Sequence, residues 1–247
     1  MMSVLFSIIT PTYNCGTKIQ DTLDSVLSQS FGDFEYLIVD GCSNDQSLEI
    51  FENITDERVR FISEPDLGIY DAMNKGVRMA RGRYLIFLGA GDYLCPDVLN
   101  QIRQIANGGK YGLIYGNVYW HDIIYAGEFS AERLAFDNIC HQAIFYRRDV
   151  FEVVGHFDLK YKLLADWEMN LRCFGDERID VLYVPMVVSV YEIGGISGNP
   201  DLQFQRDKNW LVWRNLGSIV LLKYHLKSLR RRFRDWRAQS ENKVLGS

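Results

Sequence analysis

The stretch Tyr84 to Asp92, YLIFLGAGD, constrains the fold more than any other part of the chain. Its unbroken apolar and aromatic run from Tyr84 to Leu88 reads as a short strand buried on both faces, as in a parallel sheet covered by helices. Gly89 and Gly91 then bracket a turn that carries Asp92 at its tip. Ligands of open α/β sheets gather beyond the carboxyl ends of the strands, which makes Asp92 the first candidate functional residue. A solvated turn closing a strand is the plainer alternative, and the neighbouring segments decide between the two.

Upstream, strands and helices alternate. Ser3 to Thr10 reads as a strand stopped by Pro11 and Asn14, Gly16 to Gln29 as a helix with Ile19, Leu23, Val26 and Leu27 at helical spacing, and Phe34 to Val39 as a strand ending at Asp40-Gly41. Ser43-Asn44-Asp45 supplies an N-cap for a helix from Gln46 to Asn53, Arg58 to Ser63 is a third strand, and a helix spans Ile69 to Ala80. This rhythm predicts a Rossmann-like α/β fold with a parallel sheet and right-handed crossovers.

The second half is less regular and predicts a mixed extension of that sheet. We expect a helix over Pro96 to Ala106, strands over Tyr111 to Tyr119, Ile123 to Phe129 and Gln142 to Tyr146, and a helix over Ala165 to Phe174 with Asp166 in its first turn. A last strand from Ile179 to Val184 is ended by Pro185, and Gly194 to Gly198 forms a glycine-rich loop.

Charge separates the C-terminal tail from the rest. Arg206 to Arg237 holds ten Lys or Arg against two Asp, a balance of +8, so the net charge of −5 leaves −13 for the remainder. In this tail Leu216, Ile219, Leu222, Leu226, Leu229, Phe233 and Trp236 recur at steps of three and four opposite Lys223, Lys227, Arg230, Arg231, Arg232, Arg234 and Arg237. The pattern is a basic amphipathic helix, docked on its own domain or lying on an anionic membrane surface. Residues 1–200 are therefore read as one α/β domain and 201–247 as a helical tail. Nucleic acid is a poor partner, because the remainder is acidic and offers no recognisable nucleic-acid motif.

With 47% hydrophobic and 24% charged residues the chain has the balance of a packed globular domain. Its five cysteines lack CxxC spacing and predict neither a disulfide framework nor a structural zinc site, so a reducing, cytoplasmic compartment is expected. The apolar start lacks a positive flank and a small-residue cleavage site and is read as a strand, not a signal peptide. Ile219 to Leu222 is the longest aliphatic run near the C-terminus, far below the roughly 20 residues that span a bilayer.

Four segments fall on what should be one edge of the sheet: Thr10 to Asn14, Asp40-Gly41, Gly89 to Asp92, and Ala165 to Trp167. They offer an aromatic face, a carboxylate able to accept from a base or ribose, a metal-binding carboxylate beside backbone amides, and a carboxylate in a helix's first turn. Plain packing for Tyr13, turn formation for Asp40 and helix capping for Asp166 are the structural alternatives. The segments SIITPTYN, IVDGCSNDQS, EPDLGIYDAMNKGVRMARGRYLIFLGAGD, HQAIFYRR and ADWEMNLR resemble the family 2 glycosyltransferases of the GT-A fold, and within them the bacterial subset that builds colanic acid and related exopolysaccharides. The resemblance covers Ser3 to Gly198. It implies transfer of a sugar from a nucleoside-diphosphate donor, UDP or GDP linked, to an acceptor hydroxyl with inversion.

By position, the resemblance assigns Pro11 and Tyr13 to the nucleobase, Asp40 to uracil or ribose, and Asp92, with Gly91 beside it, to a magnesium or manganese ion on the diphosphate. Asp166 is the implied general base, and His141, Gln142 and Trp167 stand on the acceptor side. Two departures matter. Gly89 and Gly91 occupy the places of two carboxylates in the family's acidic run, and Met73 stands where many members carry Arg, which makes Lys75 the nearest cation for a phosphate. A lipid-linked glycan acceptor at the inner face of the cell membrane is the implied setting. The rival readings are a non-catalytic nucleotide-sugar-binding relative, a pyrophosphorylase, whose phosphate loop is replaced here by PTYN, and a dinucleotide oxidoreductase, whose GxGxxG is missing after every predicted strand.

Overall fold

The computed structural model describes residues 4–120, 123–125, 127–191 and 200–245, with side chains of the last helix described as far as Arg234. Its first half follows the alternation read from the sequence: β1 (Phe6–Thr12), α1 (Ile19–Leu27), β2 (Phe34–Asp40), α2 (Ser47–Glu52), β3 (Val59–Ser63), α3 (Ile69–Met79) and β4 (Tyr84–Phe87). The second half holds β5 (Tyr93–Leu94), α4 (Val98–Gly108), β6 (Leu113–Trp120), β7 (Ile123–Tyr125), α5 (Ala131–Leu134), β8 (Ile144–Arg147), α6 (Val150–Val153), α7 (Ala165–Gly175), β9 (Val181–Tyr191) and α8 (Leu202–Leu245).

Among the described residues one sheet runs β3-β2-β1-β4-β8-β6-β9-β5, with β7 paired to β6. Neighbours from β3 to β4 are parallel, whereas β8 is antiparallel to both β4 and β6. Both faces are covered, and this explains the uninterrupted apolar runs. Ile9, Leu37, Val39 and Phe87 pack against α3, α7 and the start of α8, while Ile8, Tyr36, Ile38 and Ile86 pack against α1, α2 and α4.

Pro11 does not end β1, contrary to expectation. It pairs with Val39 of β2, while the ladder to β4 closes at Ile9 and Phe87, with Leu88 N donating to Ile9 O. Proline lacks the N–H that would continue that ladder, so β1 and β4 part beyond it while β1 and β2 stay joined. The parting lies where the strand order turns from 3-2-1 to 4, the switch point at which such sheets bind ligands. Pro185 likewise stays inside β9. The register to β6 jumps from Tyr115–Tyr183 to Asn117–Val187, and the proline sits exposed in that bulge, where no ladder donor is required. The strand expected from Ile123 to Phe129 is shorter, ending at Tyr125. Ser3 and the Gly194 to Gly198 loop lie outside the described residues, as do the side chains of Trp236 and Arg237.

The tail divides at Gly217, whose φ of 87° and ψ of 169° interrupt α8. Before the break, α8 is part of the core. Asp201 caps it by accepting from Phe204 N while also accepting from Leu163 N, and Phe204, Leu211 and Val212 are buried. Beyond the break Val220 is still buried, but Ile219, Leu222, Leu226, Leu229 and Phe233 are between 49% and 70% exposed. The predicted stripe is thus a solvent-facing apolar face, and among the described residues no helix is long and apolar enough to cross a membrane.

Candidate active site

The loops after β1 and β2 are joined side chain to backbone. Asn14 N donates to Ser43 Oγ at 2.7 Å, Asn44 N to Asn14 Oδ1 at 2.9 Å, and Gly16 N to Asp45 Oδ2 at 2.8 Å. Tyr13 projects from this seam, 66% exposed, as a free aromatic face requires. Asp40 lies beneath it, fully buried. Thr12 Oγ1 and Ser43 Oγ donate to its Oδ1, and Ser43 N and Ser63 Oγ to its Oδ2. Four donors match the roughly four lone-pair positions of a carboxylate, so a nucleoside reaches Asp40 only if a hydroxyl turns away.

Asp66, to which the sequence pattern assigns no role, stands against Gly41, the residue after Asp40. A Cβ on Gly41 would lie 2.5 Å from its Oδ2, so only glycine permits the approach. Its only sequence signal is the Glu64-Pro65-Asp66 string ahead of α3. Lys75 is held nearby, its Nζ donating to Pro65 O at 2.6 Å and pairing with Glu64 Oε1 at 3.2 Å.

After β4 the chain turns through Gly91, with φ of 102°, a conformation suited to glycine. Asp92 folds back so that its Oδ2 accepts from Gly89 N at 3.0 Å. A side chain at position 89 would place Cβ 2.8 Å from that oxygen, which gives a physical reason for glycine where the family carries acid. Thr22 Oγ1 of α1 fixes the turn by accepting from Gly91 N at 2.9 Å.

Asp166, in the first turn of α7, is buried and gathers three donors, one from α3 and two from the Asn138 to His141 stretch. Tyr70 of α3 donates its hydroxyl to Oδ1 at 2.8 Å, Asn138 Nδ2 donates to Oδ2 at 2.8 Å, and His141 Nδ1 lies 3.4 Å from Oδ2. Three contacts leave about one lone-pair position for another hydroxyl. Glu168, the other acid of that turn, is held by Arg172 through three contacts of 2.7 to 3.0 Å and is not available as a base.

A short 3-10 turn, His141–Ala143, joins the two carboxylates. Gln142 Nε2 donates to Asp92 Oδ2 at 2.9 Å, while its neighbour His141 stands against Asp166 with a buried, unpartnered Nε2. Cys140, just before them, has its thiol pushed up to about 12, chiefly by burial and then by Asp166 and Asp92, so it stays protonated and inert. Trp167 is turned to the tail. Its Nε1 donates to Leu134 O at 2.8 Å, its ring packs on Phe204 at 5.1 Å, and Lys208 Nζ sits 4.0 Å above it. A hollow of about 690 Å³ between α1 and α2 contains none of these residues.

A family model described as glycosyl transferase family 2 matches residues 7–148, the part that carries Asp40, Asp92, His141 and Gln142. The PGL/p-HBAD biosynthesis glycosyltransferase of Mycobacterium tuberculosis is 42% identical over 206 residues, covering 80% of each chain. The chain belongs to glycosyl transferase family 2. Among solved structures, S. aureus TarS in complex with UDP-GlcNAc superposes with a TM-score of 0.70 at 15% identity, covering 89% of this chain and 71% of that one. The mannosyltransferase PcManGT from Pyrobaculum calidifontis, in complex with GDP-Man and Mn2+, gives 0.64 at 15% identity over 96% and 84%. These likenesses show the GT-A fold, and the family makes this protein a glycosyltransferase. Tyr70 and Asn138, which hold its candidate base, went unread in the sequence. Tyr70 lies within EPDLGIYDAMNKG, where nothing local distinguishes it, and Asn138 carries no local signal.

Proposed function

We propose that this glycosyltransferase moves a sugar from a UDP- or GDP-linked donor to a hydroxyl of a growing, lipid-linked exopolysaccharide repeat unit, inverting the anomeric centre. The observation that carries this reading is the His141-Gln142 pair, which brings the candidate leaving-group carboxylate and the candidate base into one site. Asp166 accepts the acceptor's hydroxyl proton as that oxygen attacks the sugar from the face opposite the departing diphosphate. Tyr70 and Asn138 hold the two carboxylate oxygens in place, and Gln142 does the same for Asp92. A single displacement of this kind inverts the centre.

Among the described residues no three His, Cys, Asp or Glu are grouped to hold an ion, so a metal at Asp92 would take most of its ligands from elsewhere. Magnesium and manganese accept one carboxylate when phosphate oxygens and waters complete their shell, so the residues fit an ion that arrives with the donor. Bound at Asp92, such an ion supplies Lewis-acid stabilisation of the charge growing on the diphosphate. The complexes named above, one with UDP-GlcNAc and one with GDP-Man and Mn2+, support the donor class.

Beyond Gly217 α8 carries, besides its exposed apolar face, the exposed Arg230, Arg231, Arg232 and Arg234, while Lys223 and Lys227 reach Glu132 and Phe136 of the domain. Helix faces of this composition lie on anionic bilayers, each basic residue contributing about 1 kcal/mol near the surface. A lipid-linked acceptor is presented there, on the cytoplasmic leaflet.

The test is a screen of UDP- and GDP-sugars by thermal shift with and without manganese, followed by nucleotide release on adding a lipid-linked acceptor. A donor at about 100 times its dissociation constant adds about 2.7 kcal/mol, a readily measured shift. Donor binding without release from any acceptor would favour the non-catalytic relative, for which Gly89 and Gly91 are the supporting observation. Binding of neither nucleotide would remove the proposal.

A further inference from the structure

The ribbon formed by β6 and β7 carries a second exposed apolar surface, separate from α8. Trp120 stands opposite Ile123 on one face and Tyr119 opposite Ile124 on the other. All four are between 39% and 68% exposed, although Val118, one pair further in, is buried. Such a cluster of bulky apolar side chains is unusual on a free surface and marks a contact.

The ribbon's base reaches the catalytic carboxylate. Tyr125 OH donates to Asn138 O at 3.0 Å, and Asn138 in turn donates to Asp166. The same neighbourhood meets α8. Arg133 of α5 lies over the Phe129 ring at 4.0 Å and 5.8 Å from the Tyr125 ring. Lys223 of α8 pairs with Glu132 of α5 at 2.8 Å, and Tyr224 packs on Phe136 at 4.8 Å. Ribbon and helix thus flank the segment Ala131 to Asn138 that supports the base.

We propose that the β6–β7 ribbon is a second bilayer contact, seated at headgroup level in the leaflet that receives α8, so that Asp166 is held close to the lipid surface from two sides. It extends the membrane reading of α8 and is separable from it. Three features select this occupant. Tyrosine and tryptophan favour the headgroup region, where one end of the ring is apolar and the other wet. Exposure on both faces suits immersion in an interface better than docking on one flat partner. A second copy is disfavoured because β7 is only three residues long, and four half-covered side chains fall well short of the roughly 800 Å² per partner of a standard protein interface.

The experiment is flotation of the full chain with vesicles of equimolar phosphatidylcholine and phosphatidylglycerol. It is run at low salt and at about 1 M salt, where the Debye length shrinks to about 3 Å and the basic face of α8 is screened. We expect Ile123→Ser with Ile124→Ser to lower partitioning about tenfold at low salt and by a similar factor at high salt, because an apolar contact is not screened. Leu226→Ser with Leu229→Ser should lower the low-salt value while leaving a high-salt remnant. Melting curves and sedimentation of the same samples report folding and self-association. If the folded ribbon variant floats like wild type while the α8 variant does not, the ribbon is no bilayer contact and the α8 reading stands. If wild type never floats, both fall, and a wild-type dimer that the ribbon variant dissociates, with flotation unchanged, assigns the surface to a second copy instead.

Discussion

Asp40 and Asp166 are both buried carboxylates near the switch-point edge of the sheet, yet their surroundings differ in kind. Asp40 is saturated by short hydroxyls and a backbone amide from the ends of β1, β2 and β3, and its bonds fasten three loops together. Asp166 takes long side chains from two distant segments, α3 and the Asn138 to His141 stretch, and keeps about one lone pair free. Closure of all positions is the signature of a structural fastening, and a vacancy in an otherwise rigid shell is what a proton acceptor needs. Four substitutions test that contrast, from the largest expected effect to the smallest.

Asp166→Asn should reduce transfer by roughly 10² or more, the scale of general-base loss, while donor binding survives. The amide oxygen can stay toward Asn138 Nδ2 while its Nδ2 donates to the Tyr70 hydroxyl, whose proton then goes to Leu163 O, so we expect a stability loss of no more than about 1 kcal/mol. Initial rates per folded molecule, measured beside the melting temperature, separate the two effects. An undiminished rate would erase the contrast with Asp40.

For Asp92→Ala we expect about 10- to 100-fold weaker donor binding in manganese and little change without it, because the removed group would hold the ion. Calorimetric titration in both conditions is the check. Unchanged manganese-dependent affinity takes Asp92 out of the metal reading. Gln142, left without its acceptor, adds about 1–3 kcal/mol of instability that must be measured in parallel.

Asp40→Asn should act in the opposite sense. Replacing an acceptor of four hydrogen bonds by an amide leaves buried donors unmatched, and about 1–3 kcal/mol of stability is lost with a much smaller change in the rate per folded molecule. Unfolding in urea measures the first quantity. A melting point at wild-type level with donor binding abolished would instead place the nucleoside on Asp40.

The same contrast explains what the sequence could disclose. Buried parallel strands must be apolar on both faces, so β1 to β4 and the carboxylates at their ends were legible, as was Asp166 at the head of a periodic helix. Pro11 and Pro185 misled because a proline stops a strand only where its missing N–H faces a partner, which depends on the neighbour and not on the segment. His141 and Gln142 were legible by resemblance, but their joint contact with Asp92 and Asp166 comes from a short turn without periodicity. Asn138 offered nothing to local pattern, since its role arises only when β7, α5 and α7 have come together. The tail was half legible: its amphipathicity was plain, but Gly217, which divides the docked part from the exposed part, reads in sequence as one more helix residue.

Lys208 gives the smallest and most local test of how closely the tail belongs to the Asp166 region. Its Nζ lies 4.0 Å from the ring of Trp167 and 5.3 Å from that of Tyr224, and burial pushes it down from 10.5 to about 8, with Asp137 opposing. The ring faces favour the charged form, yet desolvation outweighs them. Because the folded value lies below the unfolded one, the unfolded chain binds this proton more tightly between about pH 8 and 10.5, and stability from this group rises with pH across that window. Lys208→Met keeps the apolar stem and removes the titration. We therefore expect the variant to be more stable than wild type at pH 7 by on the order of 1 kcal/mol, after allowing for partial exposure and the ring contacts, with the gap closing as pH approaches 10. The difference between the two melting curves cancels other groups that titrate in the same range. A gap that stays constant or widens with pH would mean that Lys208 is solvated in the folded chain and that α8 rests on α7 more loosely than Trp167 and Phe204 imply.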